Sequence, residues 1–287
     1  MNHSEYPAIY KAASDLSADS QKAYFNALKW NMGFLILATV ISIANSSCPW
    51  AAITQALVLL GALGCAIYLY VVKPDRHWYS ARALAESVKT STWRFIIKAE
   101  PFTNPDEQDR HNFALRLKQV LDSNKDVAGR LSTHLDESQI TDEMERVRQL
   151  STADRQTYYR DNRIVEQRTW YAKKAAFNKR KAALFYFLLF AVIVVAIILA
   201  LCKIKLSSAP YWPTDVFVTL SASMLSWIQA KRYQELAVSY ALTAHEIGFI
   251  RQSASSDMED GELSVFVGDA ENAFSREHTQ WIARRDT

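Results

Sequence analysis

Residue types that perform enzymatic chemistry occur in this sequence, but their spacing matches no catalytic motif. His245 precedes Glu246, yet no second histidine follows at the spacing of a zinc-binding HExxH helix. The seven glycines are scattered and form no phosphate-binding loop. No serine lies in the Gly-x-Ser-x-Gly context of a nucleophile elbow. We therefore expect a protein that is not an enzyme and that uses no metal and no cofactor.

A second group of polar residues lies inside apolar segments, where such side chains could line a pore or join helices. The candidates are hydroxyl and amide residues, several at helical spacing: Thr39, Ser42, Thr54, Gln55, Thr219, Ser223, Ser226 and Gln229. Small hydroxyl residues let helices approach closely, and Gly61, Ala62 and Gly64 fit that role too. The alternative is a polar stripe that lines a pore assembled from several chains. The sequence leaves both interpretations open.

Four apolar segments must position these side chains, at about residues 32–48, 51–72, 182–202 and 214–230. A bilayer core needs about 20 helical residues to cross it. The second and third segments meet this length alone, and each weaker segment is joined to a strong one by a short loop. Because only helices can satisfy their backbone in lipid in such a chain, we predict an all-α integral membrane protein. It would have two transmembrane hairpins, four spans and long cytoplasmic helical extensions.

Charge sets the expected orientation of the hairpins. Basic residues flank the open end of each hairpin, opposite its connecting loop, as at Lys179, Arg180 and Lys181. The first hairpin loop, NSSCPW, is uncharged. Since cytoplasmic flanks carry the positive charge, both termini are expected in the cytoplasm. The span interiors lack charged residues, which argues against ion-driven transport. The net charge of +3, without a basic patch among aromatics, gives no indication of nucleic-acid binding.

The segments outside the spans also read as helices. Residues 109–121 place Phe113, Leu117, Val120 and Leu121 on one stripe, as in an amphipathic helix. The preceding stretch AEPFTNPDEQ contains two prolines that end a helix. Helices that are polar on most faces need partners to be stable. We expect them to pack against each other, either within one chain or between chains.

Four motifs in register with the hairpins resemble those of a known family. The helix after the first hairpin reads Arg76-His77-Trp78-Tyr79-x-x-Arg82-x-x-Ala85-Glu86-x-x-Lys89. Before the third segment come Arg155-x-x-x-Tyr159-x-x-x-Arg163 and Gln167-x-x-Trp170-Tyr171-x-x-Lys174, and the tail contains Ala270-Glu271-x-Ala273-x-x-Arg276-Glu277-His278. These motifs resemble two subfamilies of SLATT domains, which are two-transmembrane effector domains associated with SMODS and SLOG proteins. The residues singled out are Arg76, Trp78, Tyr79, Arg82, Glu86, Gln167, Trp170, Tyr171, Arg276 and Glu277.

The resemblance implies two tandem SLATT-like units, residues 1–130 and 138–287, in the inner membrane of a bacterium. It implies an effector of an antiphage or conflict system that oligomerises and forms a pore or disrupts the membrane. A nucleotide second messenger or a partner sensor, such as a cyclic-nucleotide synthase, would trigger it. Its expected partners are the bilayer, further copies of the chain and that sensor, but no nucleic acid. The alternative is a membrane-anchored signalling or scaffold module without pore activity.

The aromatic pairs of these motifs have two roles open to them. They could form an interfacial belt beside basic residues that reach lipid phosphates. They could also pack between helices of the cytoplasmic part, with cation–π contacts to arginine. We expect Trp78 in the belt and Trp170 in helix packing.

Overall fold

The computed structural model describes residues 1–44, 49–205, 212–253 and 258–283, with side chains at all of these except 44, 253 and 276–283. The described residues are almost entirely helical and contain no strand. This confirms the all-α fold. The α-helices are α1 (Ala8–Ala44), α2 (Pro49–Val72), α3 (Pro74–Ile97), α4 (Asp106–Asp122), α5 (Lys125–Ala128), α6 (Asp142–Arg148), α7 (Thr152–Tyr159), α8 (Glu166–Lys205), α9 (Thr214–Lys231), α10 (Tyr233–Ser253) and α11 (Asp260–Ala283).

The chain divides into two compact units, and segments from both halves of the sequence contribute to each. One, which we call the polar unit, comprises Met1–Gln21, Asp75–Ala172 and Ala241–Thr287. The other, the apolar unit, comprises Lys22–Pro74 and Lys173–Tyr240. The expected boundary between residues 130 and 138 is a division along the chain rather than in space, and it stays a prediction.

The core of the polar unit forms around α3. Trp93 and Phe95 of this helix are fully buried. The Phe95 ring stacks on Phe113 of α4 at a centroid distance of 4.6 Å. Leu117 and Val120 follow Phe113 into the core, so the stripe expected over residues 109–121 is the buried face of α4. Aromatic side chains of this size bury large apolar areas, which fastens α4 to α3.

A loop before α6 closes the start of α1. The Ala8 amide donates to the Ser138 carbonyl at 3.2 Å, and the Ile9 amide donates to Gln139 Oε1 at 3.1 Å. The first amides of a helix have no partner within the helix, so these bonds satisfy two of them. Thr141 caps α6 by accepting from the Met144 amide at 3.4 Å. The loop thus holds two helix starts together.

His134 anchors the same loop through charge. Its Nε2 lies 2.9 Å from Asp15 Oδ2, and its Nδ1 contacts Glu137, which also pairs with Lys11. Hydrogen bonds to Glu137 and Asp15 raise the pKa of His134 above its ordinary value. The bond to His134 correspondingly lowers the pKa of Glu137. The contact is therefore strongest when His134 is protonated and Glu137 ionised.

This cluster predicts a pH dependence of stability. A raised histidine pKa contributes stability that is complete below about pH 6.5 and is lost as pH rises through the folded-state pKa. We expect the unfolding midpoint to fall by about 2 °C through this contact between about pH 6 and pH 9. His134→Asn removes the titration and suits the backbone there, whose φ is 58°. Equal pH profiles for the wild type and this variant, followed by thermal unfolding, would contradict the prediction.

Apolar helices dominate the apolar unit. Three helical stretches of the described chain are long and apolar enough to cross a membrane, namely Ala8–Ile43, Pro49–Ile97 and Thr152–Lys205. At most 11% of each apolar window is buried within the protein. Large side chains such as Leu57, Phe187 and Phe190 are more than half exposed. A soluble surface does not expose apolar area on this scale, so these faces fit lipid.

Close contacts join the helices within the apolar unit. Asn31 Nδ2 donates to the Ala62 carbonyl at 2.8 Å, which ties α1 to α2. A Cβ atom at Gly61 would lie 3.1 Å from the Phe34 ring, so glycine permits this approach. A Cβ atom at Gly64 would have no other atom within 4 Å, so Gly64 does not serve such a contact. Gly61 and Ala62 therefore act as small residues at a helix interface.

Candidate functional site

The polar residues of the spans bond mainly to their own helices. Thr39 Oγ1 donates to the Ile36 carbonyl at 2.7 Å, and Thr54 Oγ1 donates to the Trp50 carbonyl at 2.8 Å. Ser226 Oγ donates to the Ala222 carbonyl at 2.9 Å. Hydroxyls in helices commonly make such bonds, which satisfy them without water. These residues therefore need no aqueous lumen.

The polar stripe of α9 faces two environments. Ser223 is buried, and Thr219 is half-buried. Ser226 and Gln229 are exposed. In the first hairpin, Ser42 is exposed and Gln55 half-buried. Part of the α9 stripe thus packs within the chain, and part of it is available to another molecule.

The aromatic pairs of the family motifs lie in the polar unit. The Trp78 ring stacks on Tyr79 at 4.5 Å, and Ser17 Oγ donates to the Trp78 carbonyl at 3.3 Å. Tyr171 is buried, whereas Trp170 remains 37% exposed. The second pair thus packs mainly through its tyrosine.

The other motif residues singled out from the sequence differ in their exposure. Arg76 is exposed, while Arg82 and Glu86 of α3 and Gln167 of α8 are half-buried. Arg276 and Glu277 fall within α11, but their side chains lie outside the described residues. Of those side chains that the structure describes, none is buried.

A buried ion pair forms the centre of the polar unit. Arg163 Nε and Nη2 donate to the two Glu271 carboxylate oxygens at 2.8 and 2.7 Å. The Tyr159 hydroxyl donates to Glu271 Oε1 at 3.0 Å. Burial, with Glu271 next, raises the pKa of Tyr159 well above its ordinary value, so the phenol stays protonated. The carboxylate is thus bonded on both oxygens, as a buried charge requires.

Aromatic rings and an unusual helix turn position Arg163. The guanidinium lies 4.8 Å from the Phe274 ring centroid and 5.9 Å from that of Trp93. Trp93 Nε1 donates in turn to the Tyr6 hydroxyl at 3.0 Å. Arg163 lies in a π-helical segment, Arg160–Val165, between α7 and α8. Such segments are rare and occur frequently at functional sites.

A second buried pair lies beside α4. Arg148 Nη2 donates to Asp109 Oδ2 at 2.7 Å, and both side chains are fully buried. Arg148 Nε also donates to Asp106 at 2.9 Å, and its guanidinium lies 4.6 Å from the Phe95 ring centroid. The sequence pattern did not predict this pair. Its signal was Asp109 itself, four residues before Phe113 on the apolar stripe, where a carboxylate needs a buried partner.

A cavity of about 180 Å³ adjoins the Arg163 pair. Its lining residues come from the chain start, α1, α3, the π-helical segment and α8: Met1, His3, Tyr6, Tyr10, Lys89, Asn162, Arg163, Glu166 and Gln167. Gln167 was singled out from the sequence, but Lys89 and Arg163 stood in the motifs without a role. Tyr6 was missed, because only folding brings the chain start against α3. Among the described residues, no group of three or more His, Cys, Asp or Glu side chains could hold a metal.

Comparison with known families agrees with this architecture. The model of the SMODS and SLOG-associating 2TM effector domain 3 matches residues 7–156. The model of the SMODS and SLOG-associating 2TM effector domain 1 matches residues 159–281. Neither a curated protein nor a solved structure matches the chain. The first match alone covers more than half of the residues, and the second begins just after it. The chain therefore belongs to the SLATT family and carries two SLATT domains in tandem.

Proposed function

We propose that this chain is a membrane effector of a bacterial conflict system that oligomerises and opens a pore, or disrupts the inner membrane, when triggered. The observation that carries the proposal is that a chain of the SLATT family exposes long apolar helix faces. The chain consists of two effector domains, and its long helices expose apolar faces such as that of Phe187 and Phe190. Uncharged span interiors favour a passive opening over a pump.

In this proposal α9 is a fourth span, so that each SLATT domain supplies one hairpin. It is a helix of 18 residues with Asp215 in its first turn. It is less apolar than the three stretches that are apolar enough to cross a membrane. Basic residues at the open ends of the hairpins, opposite their connecting loops, favour cytoplasmic termini and a cytoplasmic polar unit. The trigger is a nucleotide second messenger or a partner sensor that acts on this unit.

The proposed pore requires oligomerisation. Four helices of one chain do not enclose a wide pore, so several copies would have to line it. The exposed side chains of Ser226 and Gln229 provide a polar face on α9 for that purpose. A bundle of several copies would place these faces around one axis.

One observation favours the alternative of an anchored scaffold. The hydroxyls of Thr39, Thr54 and Ser226 already bond to carbonyls of their own helices. Side chains satisfied in this way need no water, so the helices that carry them can serve as anchors without lining a pore. In this alternative the polar unit docks a partner, and the hairpins hold it at the membrane.

Membrane potential after triggering separates the two functions. Cells that express the chain with its trigger should lose their potential, followed with a voltage-sensitive dye, before they lose viability. The pair of changes Ser226→Leu and Gln229→Leu should remove most of this depolarisation. Val218→Leu, at an exposed site on the same helix, is the control and should leave it unchanged. Protection against phage with an intact potential would refute the pore and favour the scaffold.

A further inference from the structure

Among the described residues, the Lys89 ammonium group at the cavity beside the Arg163 pair has no hydrogen-bond or ion-pair partner, and one nitrogen of Arg163 makes no hydrogen bond. Arg163 is 2% exposed, and its Nη1 makes no hydrogen bond there, since Glu271 takes only Nε and Nη2. A buried charge without a full set of partners costs stability. One small cavity is thus lined by a cation without an ion-pair partner and by a buried guanidinium with one nitrogen that no described residue bonds.

The other groups around the cavity are mainly donors. The Tyr6 hydroxyl accepts from Trp93, which leaves its own proton to donate. Tyr10 and Gln167 also line the space and make no side-chain hydrogen bond to described residues. Burial raises the pKa of Tyr10 to about 12, so its hydroxyl keeps its proton. The cavity thus presents ammonium, guanidinium, phenol and amide donors together.

Carboxylates near the cavity leave this donor set unsatisfied. Glu271 is already bonded by Arg163 and Tyr159. Glu166 lines the cavity but is exposed, at the solvent side. Burial lowers the pKa of Lys89, and the nearby charge of Glu86 only partly offsets this. No carboxylate of the described residues bonds to Lys89 Nζ or to Arg163 Nη1.

We propose that this cavity binds the oxyanion group of a small molecule, a phosphate or a carboxylate, held by Lys89 Nζ and Arg163 Nη1. Charge-assisted hydrogen bonds from such groups to oxyanions are among the strongest in proteins. The volume of about 180 Å³ is below that of sites for drug-sized ligands, so it suits a small acid or one charged group of a larger one. Arg163 lies in the π-helical segment, a kind of segment that occurs frequently at functional sites, and it lines this cavity. This inference holds whether or not the chain forms a pore.

Thermal unfolding of the full chain in detergent tests the site. The midpoint is measured in chloride, inorganic phosphate and acetate at equal ionic strength. At concentrations well above its dissociation constant, the bound anion should raise the midpoint by about 2–4 °C over chloride. A shift with phosphate alone assigns a phosphate ligand, and a shift with acetate alone assigns a carboxylate. No shift with either anion would overturn the proposal.

Lys89→Met should abolish this shift. Because methionine replaces an unpaired charge with an apolar side chain of similar length, the variant should fold and unfold at a midpoint no lower than wild type. Lys118→Met, at an exposed position of α4, is the matched control and should keep the shift. An undiminished shift in Lys89→Met would refute the site. Titration calorimetry of the wild type with the same anions gives an independent result, and absence of binding there would also refute it.

Discussion

Arg163→Met is expected to destabilise the polar unit by about 3–5 kcal/mol, because it leaves the buried Glu271 carboxylate without its counter-ion. Glu271 is fully buried, and after the change only the Tyr159 hydroxyl would still bond to it. The cation–π contacts to Phe274 and Trp93 would also be lost. Local opening should appear as faster hydrogen–deuterium exchange in α7 and α11. A loss of global stability should appear as a lower midpoint of urea unfolding.

Two further variants show whether the destabilisation by Arg163→Met comes from the unpaired charge or from the change in side-chain volume. Replacing both partners, as in Arg163→Met with Glu271→Met, removes the orphaned charge and should recover most of the loss. Arg146→Met breaks a pair with Glu143 in which Arg146 is 55% exposed, and it should cost less than about 1 kcal/mol. If Arg163→Met costs no more than Arg146→Met, the buried pair does not hold the unit together.

The second large effect is expected on membrane insertion, when aspartates replace two apolar residues of α8. Val194 and Ile197 are 53% and 51% exposed in the apolar unit. If this face contacts lipid, Val194→Asp with Ile197→Asp should cost about 6 kcal/mol of membrane insertion, since each aspartate near a span centre costs about 3 kcal/mol. Most of the chain should then be released from membranes by alkaline extraction, while the wild type is retained.

A matched pair in the polar unit provides the control. Val265 is 61% exposed and Leu135 is 78% exposed. Exposed side chains in water tolerate such substitutions within about 0.5 kcal/mol each. Val265→Asp with Leu135→Asp should therefore leave membrane retention unchanged. Equal retention of the α8 variant and the wild type would contradict a lipid-facing α8.

Much of the helical architecture was readable from the sequence, because it rests on local periodicity. The apolar run at residues 182–202 lies within α8, and the run at residues 51–72 lies within α2. The stripe of Phe113, Leu117 and Val120 is the buried face of α4. The same periodicity left α9 ambiguous, because its hydroxyl residues reduce the apolar signal without preventing a helix. Its place as a span therefore stays a prediction.

The sites were less readable, because they join residues far apart in the chain. Arg163 and Glu271 are 108 residues apart, and Tyr6 and Trp93 are 87 apart. The motifs contained Lys89 and Arg163, yet nothing in a one-dimensional pattern distinguishes a cation at a cavity from one in solvent. Asp109 lies on an apolar stripe, where a carboxylate needs a buried partner, but this pattern does not identify Arg148 as that partner.

The sequence by itself determined the helices, the apolar segments and the tandem family, because these depend on composition and spacing along one element. Only the tertiary structure decided how the tandem domains contact each other. Arg155 of the first family match pairs with Asp260 of the second at 2.7 Å, and Arg94 donates to Asn272 at 2.8 Å. The polar unit is therefore built from both domains. Charge pairing and burial over such separations depend on packing in three dimensions, which no local pattern specifies.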